Sequence, residues 1–427
     1  MIILTNITMV TYRDGRGIGL FSILFPTSQD TVSLNKSIFS YEEGKLHSFS
    51  KESNYETSHK VYQDGIVGVH YHIGKVGDEE GYRKAEENLV RERPYPFTLE
   101  TGTRARDKRE KVLSDAELRK IADDCMQYLN ETYPKFRCQA KFTGTEYDRR
   151  TVNDLGMDYR SQDYAVGVSV MYKHEDSKNI ADGGFDFNMR TFDEAVFRQM
   201  ADDYLAKHEV KAELPEDLIF NMKYYGMAGF LANCLNAEEL ARGTSLLTGK
   251  VGEKLFADDF TLMHVVSDQE AWFNPFWDGD GCVLPNDELV LIQNGVIQTG
   301  FADKKTAKQY GVPHTGPAYH EFSDIPGPGG LSVQVKRSEK TIKELLGGRP
   351  CVIPVNFTSS GFNEKGEMTM VIQHSLLYDG ERIVGSLPEF KVATNIFDIF
   401  GKDFIGVGSD RPIYYDKSLL FHINKVS

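Results

Sequence analysis

Apolar and polar residues follow two different periods along this chain, and the changes of period mark its elements. Residues 65–73, Gly-Ile-Val-Gly-Val-His-Tyr-His-Ile, alternate as a strand and set His70 and His72 on one face. Two such imidazoles can ligate a metal, although solvent-facing or hydrogen-bonded histidines are commoner. Ser114-Asp-Ala-Glu117 is a capping box, and behind it Leu118, Ile121, Ala122, Cys125 and Leu129 recur at helical spacing as far as Pro134. Thr191-Phe-Asp-Glu194 predicts a second box, followed by Ala195, Phe197, Met200, Tyr204 and Leu205. Between these helices, residues 142–173 read as strands around the turn Asn153-Asp-Leu-Gly156.

Asp14-Gly15, Asp64-Gly65, Asn294-Gly295 and Asp379-Gly380 each sit between β-prone runs and predict tight hairpins with φ > 0 at the glycine. Glu213-Leu-Pro215 punctuates the chain, and a helix is predicted over 215–236. Beyond it strand signals dominate, interrupted by short helices over 303–310 and 338–346, the latter stopped by Gly347-Gly348. The second half therefore reads as a mainly antiparallel β domain with a few helices.

Length and charge narrow the function. A chain of 427 residues is long enough for two or three domains. With 49 Lys+Arg against 63 Asp+Glu the net charge is −14, which opposes binding to a phosphate backbone. The basic run Arg104, Arg106, Lys108, Arg109 and Lys111 has no interleaved aromatics and reads as a solvated connector. Five cysteines without C-x-x-C spacing fit a reducing compartment as small buried hydrophobes. No run reaches the roughly 18 apolar residues of a membrane span, and the apolar start lacks a preceding basic residue, so a cytoplasmic location is the expectation.

Familiar catalytic motifs are absent. There is no G-x-S-x-G, and the glycines of residues 243–250 have the wrong spacing for a phosphate loop. Trp277-Asp-Gly-Asp-Gly-Cys282 opens like a calcium loop but puts Cys282 and Val283 where a ligand and a glycine are needed, leaving an acidic turn. Neither His174-Glu175 nor His208-Glu209 has a second histidine one turn on. His264, His314, His320, His374 and His422 are scattered, and a nonlocal three-histidine site stays open.

The later motifs nevertheless resemble a known family. The segment from Ala241 through Arg242, Gly243, Ser245 and Gly249 to Gly252 and Glu253 is similar to the R-x-S-x-x-x-G-x-x-G-E run of the TldD/PmbA proteins, the "modulator of DNA gyrase" family of metallopeptidases. Trp277-Asp-Gly-Asp-Gly281 resembles its F-D-x-E-G, and Leu291-Ile-Gln-Asn-Gly-Val296 its L-I-x-N-G hairpin. Thr306, Ala307, Gly311, Thr315 and Gly316 match its T-A-x-x-x-G-x-x-x-T-G, and Val407-Gly-Ser-Asp410 its V-G-N-D.

The resemblance implies a two-domain α+β protein, with an N-terminal α/β layer domain over 1–213 and a β-rich, barrel-like domain over 214–427. It also implies a dimer, with itself or a TldD-like partner, around a peptide-processing cavity, and no direct contact with nucleic acid or membrane. The family's catalytic paralogue carries His-Glu-x-x-x-His and a later Cys on zinc. Here those helix positions fall on Ala228, Gly229 and Asn233, and no cysteine follows Cys351. The chain thus resembles the PmbA (TldE) side of the pair, with no cofactor of its own and zinc only in the partner. Asp278, Asp280, Thr315, Gly316 and His320 are candidates for the substrate cavity. The alternatives are an active peptidase using nonlocal ligands among His264, His314, His320 and His374, or a non-enzymatic peptide-binding scaffold.

Overall fold

The computed structural model describes residues 25–267, 271–319, 325–411 and 417–426. The predicted Asp14-Gly15 turn and the candidate His320 lie outside them.

The N-terminal half is one large sheet with helices on it. Its strands are β1 (Thr27–Glu42), β2 (Lys45–Gln63), β3 (Ile66–Ile73), β4 (Arg93–Pro94), β5 (Gly102–Asp107), β6 (Phe136–Asn153), β7 (Met157–His174) and β8 (Gly183–Met189). They run in the order β4-β3-β2-β1-β6-β7-β5, with β8 also on β7, and only β5 is parallel to its neighbour. The Asp64-Gly65 and Asn153–Gly156 turns link β2 to β3 and β6 to β7 as predicted, with φ of 80° at Gly65 and 98° at Gly156. Helix α1 (Asp78–Glu87) covers β2 and β3, and helices α2 (Asp115–Thr132) and α3 (Glu194–Leu205) pack on the middle of the sheet.

Ser114 and Glu117 form the reciprocal capping box that starts α2. The second predicted box is corrected: Asp193, not Thr191, caps α3, accepting from the Ala195 amide, while the Thr191 hydroxyl donates to Glu110. Asp193 stands one residue before the helix, where its short carboxylate reaches a free amide that Thr191 is too far back to meet.

The C-terminal half bends its main sheet into a half-barrel. Its strands are β9 (Ile219–Lys223), β16 (Cys351–Ser359), β17 (Glu367–Tyr378), β18 (Ile383–Leu387), β19 (Phe390–Asn395), β20 (Phe404–Val407), β21 (Ser418–His422) and β22 (Asn424–Val426), ordered β20-β21-β9-β16-β17-β19-β22 with β18 on β17. A second sheet, β12-β11-β10-β15, is built from β10 (Leu262–Val265), β11 (Glu288–Gln293), β12 (Val296–Ile297) and β15 (Val333–Val335). A ribbon joins β13 (Ala318–Tyr319) to β14 (Gly327–Pro328). Helices α4 (Tyr225–Asn233), α5 (Ala237–Arg242), α6 (Lys304–Tyr310), α7 (Ile342–Leu346) and α8 (Ile396–Ile399) fill the connections.

The helix predicted over 215–236 is therefore two elements. Leu218, Ile219, Phe220, Asn221 and Met222 are buried because β9 lies between β16 and β21, and so short a run, apolar but for Asn221, has no period that separates strand from helix. The helix predicted over 338–346 is shorter, starting at Ile342 behind a Thr341–Glu344 capping box.

One core crosses from half to half. Leu118, Phe142, Val168 and Phe197 pack in a single cluster with Ile342, Cys351, Ile353, Leu376 and Leu420. The basic run also joins the halves, which corrects its reading as a solvated connector. The guanidinium groups of Arg104 and Arg106 lie over the Phe276 ring at 4.5 and 5.2 Å, Arg106 pairs with Asp287, and Lys108 is buried against the carbonyls of Val266 and Ala271. The aromatic partner came from 170 residues further along, where no local pattern could reveal it.

Candidate functional site

The acidic turn after Trp277 sits where the two halves meet. Asp278 acts as its staple: Oδ1 accepts the amides of Asp280 and Cys282 at 3.0 and 2.8 Å, and Oδ2 accepts the Ala318 amide at 3.0 Å. Burial raises its pKa to about 7, with the Asp280 charge adding to the shift and the three amides opposing it. Gly316, at φ 62°, passes so close that a β-carbon there would stand 3.1 Å from Asp278 Oδ2.

Asp280 ties the turn to the N-terminal half. It accepts the Tyr95 hydroxyl at 2.8 Å and the Lys304 amide, at the start of α6, at 3.0 Å. Lys304 in turn reaches Glu100 at 2.7 Å. Burial works against the Lys304 charge, but the Glu100 hydrogen bond together with the surrounding negative charge of Glu100 and Asp280 holds the ammonium above its ordinary value. Thr315 closes the far side, its hydroxyl accepting the Ala302 amide at 3.0 Å.

Two cavities flank this turn and share Arg149, Trp277, Asp278 and Gly279 as a wall. The larger, about 330 Å³, is lined by the rings of Tyr147, Phe273, Phe276, Trp277 and Tyr319, with Arg149, His264, Asn274, Asp278 and Cys282 among its polar groups. The smaller, about 40 Å³, is enclosed by Asp30, Lys60, Tyr62, Tyr95 and Asp280. Aromatic walls with a few convergent polar groups suit an apolar side chain carried on a polar backbone.

The structure thus brings Asp278, Asp280, Thr315 and Gly316 together. His264 faces the larger cavity, where its Nδ1 accepts the Ser332 amide at 2.7 Å and burial lowers its pKa to about 4. His374 lies elsewhere, in a cavity with His174 and His208, apart from His264. His314 is exposed and stands beside Asp278, together with Cys282, which sequence reading treated as a small hydrophobe. Its only advance signal was its place four residues after the stapling aspartate.

On α4, Ala228 is fully buried in the C-terminal core, Gly229 is half-buried, and Asn233 is exposed at the last helical position. Positions five apart on a helix diverge by about 140°. Neither side chain carries an imidazole and the two face different surroundings.

Helices on a large antiparallel sheet, sharing a core with a half-barrel and meeting it at a cavity-lining turn, define a two-domain α+β protein. Residues 217–419 match the model of the PmbA/TldA metallopeptidase C-terminal domain. A crystallised Thermotoga maritima protein, described as a candidate modulator of a DNA gyrase, superposes with a TM-score of 0.78 at 17% identity, over 94% of this chain and 96% of that one. TldE from Thermococcus kodakarensis gives 0.74 at 16% identity over 94% and 96%. An uncharacterized protein of Methanocaldococcus jannaschii is 24% identical over 383 residues, 84% of this chain and 86% of its own length. The family match thus covers the C-terminal half of the chain, and the fold of the whole is that of these solved structures.

Proposed function

We propose that this chain is the PmbA/TldE-like subunit of a two-protein peptidase, supplying cavity wall and interface to a TldD-like zinc subunit that performs the chemistry. The observation that carries this reading is α4. At the positions where the zinc-bearing paralogue has His, Glu and His, this helix offers a buried methyl group, no side chain, and a solvent-facing amide. Hydrolysis of a peptide by zinc needs protein ligands, an open position for water and a base to take its proton. None of these roles can be filled by Ala228, Gly229 or Asn233.

The aromatic cavity beside Asp278 supports a peptide as the ligand: ring-lined walls would hold an apolar side chain, with Arg149 and His264 at hand for polar contacts. An obligate assembly of this kind buries about 2,000 Å² or more.

Co-expression with a His-Glu-x-x-x-His paralogue tests the proposal. The two proteins should co-purify, and peptide hydrolysis should require both and vanish when the partner's motif histidine is replaced. Chelator-sensitive hydrolysis by this chain alone would overturn it.

A further inference from the structure

Within the described residues, three side chains of different chemistry converge at the edge of the larger cavity. The ligand atoms of Asp278, Cys282 and His314 all lie within 4.8 Å of one another. They come from separate places in the chain, the first two from the acidic turn and the third from the link between α6 and β13. We propose that Asp278, Cys282 and His314 form a binding site for one borderline divalent transition metal of the zinc class.

The donor set selects the metal. A carboxylate oxygen, a sulfur and an imidazole nitrogen are the three ligand types that zinc accepts, whereas calcium and magnesium demand oxygen alone. Geometry holds two of the donors in advance. Both lone pairs of Asp278 Oδ1 are taken by backbone amides, but Oδ2 accepts one amide and keeps a second lone pair. Cys282 is fixed by its own amide bond to Asp278 and keeps its Sγ beside Asp278 and His314. The link carrying His314 is anchored directly after it, where the amides of Thr315 and Gly316 both bond the Ala302 carbonyl, at 3.2 and 2.9 Å.

The role of Asp278 as a turn staple accounts for that residue alone. It gives no reason for a thiol and an imidazole to gather on its free side. Among the described residues the Cys282 thiol makes one weak hydrogen bond, to Glu100 Oε1 at 3.5 Å. A cation would replace that weak contact with a thiolate bond. Three protein ligands leave a fourth position, and His314 is exposed, so the metal has an entry path from solvent. This site is distinct from the α4 positions, and the proposal does not rest on the partner-subunit reading.

Cobalt(II) is the probe, because a cobalt–thiolate bond gives a near-ultraviolet charge-transfer band that carboxylate and imidazole ligands do not. Metal-stripped full-length chain titrated with Co2+ should develop that band to one equivalent and lose it on adding Zn2+. Cys282→Ser should abolish the band. His314→Ala changes an exposed residue, leaves the fold intact, and should weaken Co2+ binding about 10-fold or more. Absence of the band in the parent protein, or the same band and affinity in either variant, would overturn the proposal. The readout involves no hydrolysis and no partner, so its failure leaves the proposed function standing.

Discussion

Arg149 and Asp30 meet in a forked ion pair across β6 and β1, Nε to Oδ1 at 3.1 Å and Nη2 to Oδ2 at 2.6 Å. Asp30 also accepts the Thr151 hydroxyl at 3.0 Å, and the same Thr151 oxygen accepts the Trp277 indole N–H at 3.0 Å. The tryptophan that opens the acidic turn is thereby wired into a buried charge pair of the other half. Asp30→Ala would leave the Arg149 charge enclosed without this carboxylate, a loss of about 3–5 kcal/mol. Urea unfolding should show that loss, while Asp30→Asn, which keeps an acceptor, should cost less. Equal stabilities for both variants would mean that the fork contributes little.

Two glycine turns should respond very differently to alanine. Gly295 has φ 79° in the Asn-Gly hairpin between β11 and β12, and a β-carbon there would stand 2.3 Å from the Phe256 carbonyl oxygen. Gly380 has φ 100° but would bring its β-carbon only to 3.9 Å from Lys343 Cγ. Gly380→Ala should cost about 1–2 kcal/mol for the left-handed backbone alone. Gly295→Ala should cost distinctly more, because backbone must move as well. Thermal unfolding of the two variants side by side measures the difference.

Acid should destabilise the fold through its buried imidazoles. The pKa of His374 falls to about 4, mainly by burial, with the neighbouring His208 and Lys211 charges adding and Asp182 opposing; His264 reaches the same value by burial. Unfolded histidine titrates near 6.5. Above pH 6.5 both states are neutral and the full stability is present. Between 6.5 and 4 the unfolded chain takes up protons that the folded one refuses, so stability falls by about 1.4 kcal/mol per pH unit for each group. Below 4 the contribution is gone. His374→Gln should flatten the profile between pH 6.5 and 4; an unchanged slope would show that this ring is already protonated in the fold.

Restoring the motif on α4 should not restore a peptidase. In the triple variant Ala228→His, Gly229→Glu, Asn233→His, the first imidazole enters a fully packed core while the last points to solvent. Overpacking of this kind costs about 1–3 kcal/mol. The variant should be less stable and hydrolyse no peptide when assayed alone. Zinc-dependent turnover would show that the helix can re-seat itself.

Features encoded by neighbouring residues were legible in the sequence. Ser114 with Glu117, Asp64-Gly65 and Asn294-Gly295 specify their own local geometry and lie where the pattern puts them. The motif residues Asp278, Asp280, Thr315 and Gly316 also proved to be spatial neighbours. What escaped depends on distant partners. β9 is a strand because β16 and β21, more than a hundred residues later, flank it. Arg104 and Arg106 looked solvated because Phe276 is remote in sequence. His314 was a ligand candidate from the sequence, but its neighbours Asp278 and Cys282 are brought to it only by the fold.

Strand β1 pairs with β6 along nearly its whole length, from Ser28 opposite Asn153 to Glu42 opposite Gln139. During synthesis β1 leaves the ribosome roughly 90 residues ahead of that partner, and at about 5–20 residues per second its open edge waits some 5–20 seconds. A long unpaired edge is a template for the wrong neighbour. The sequence of β1 suits such a wait: Ser28, Gln29, Thr31, Ser33, Asn35 and Ser37 keep it polar, and Asp30 and Lys36 place charges on the edge that disfavour pairing with another nascent chain. The carboxylate that later anchors Arg149 thus serves first as a guard against aggregation.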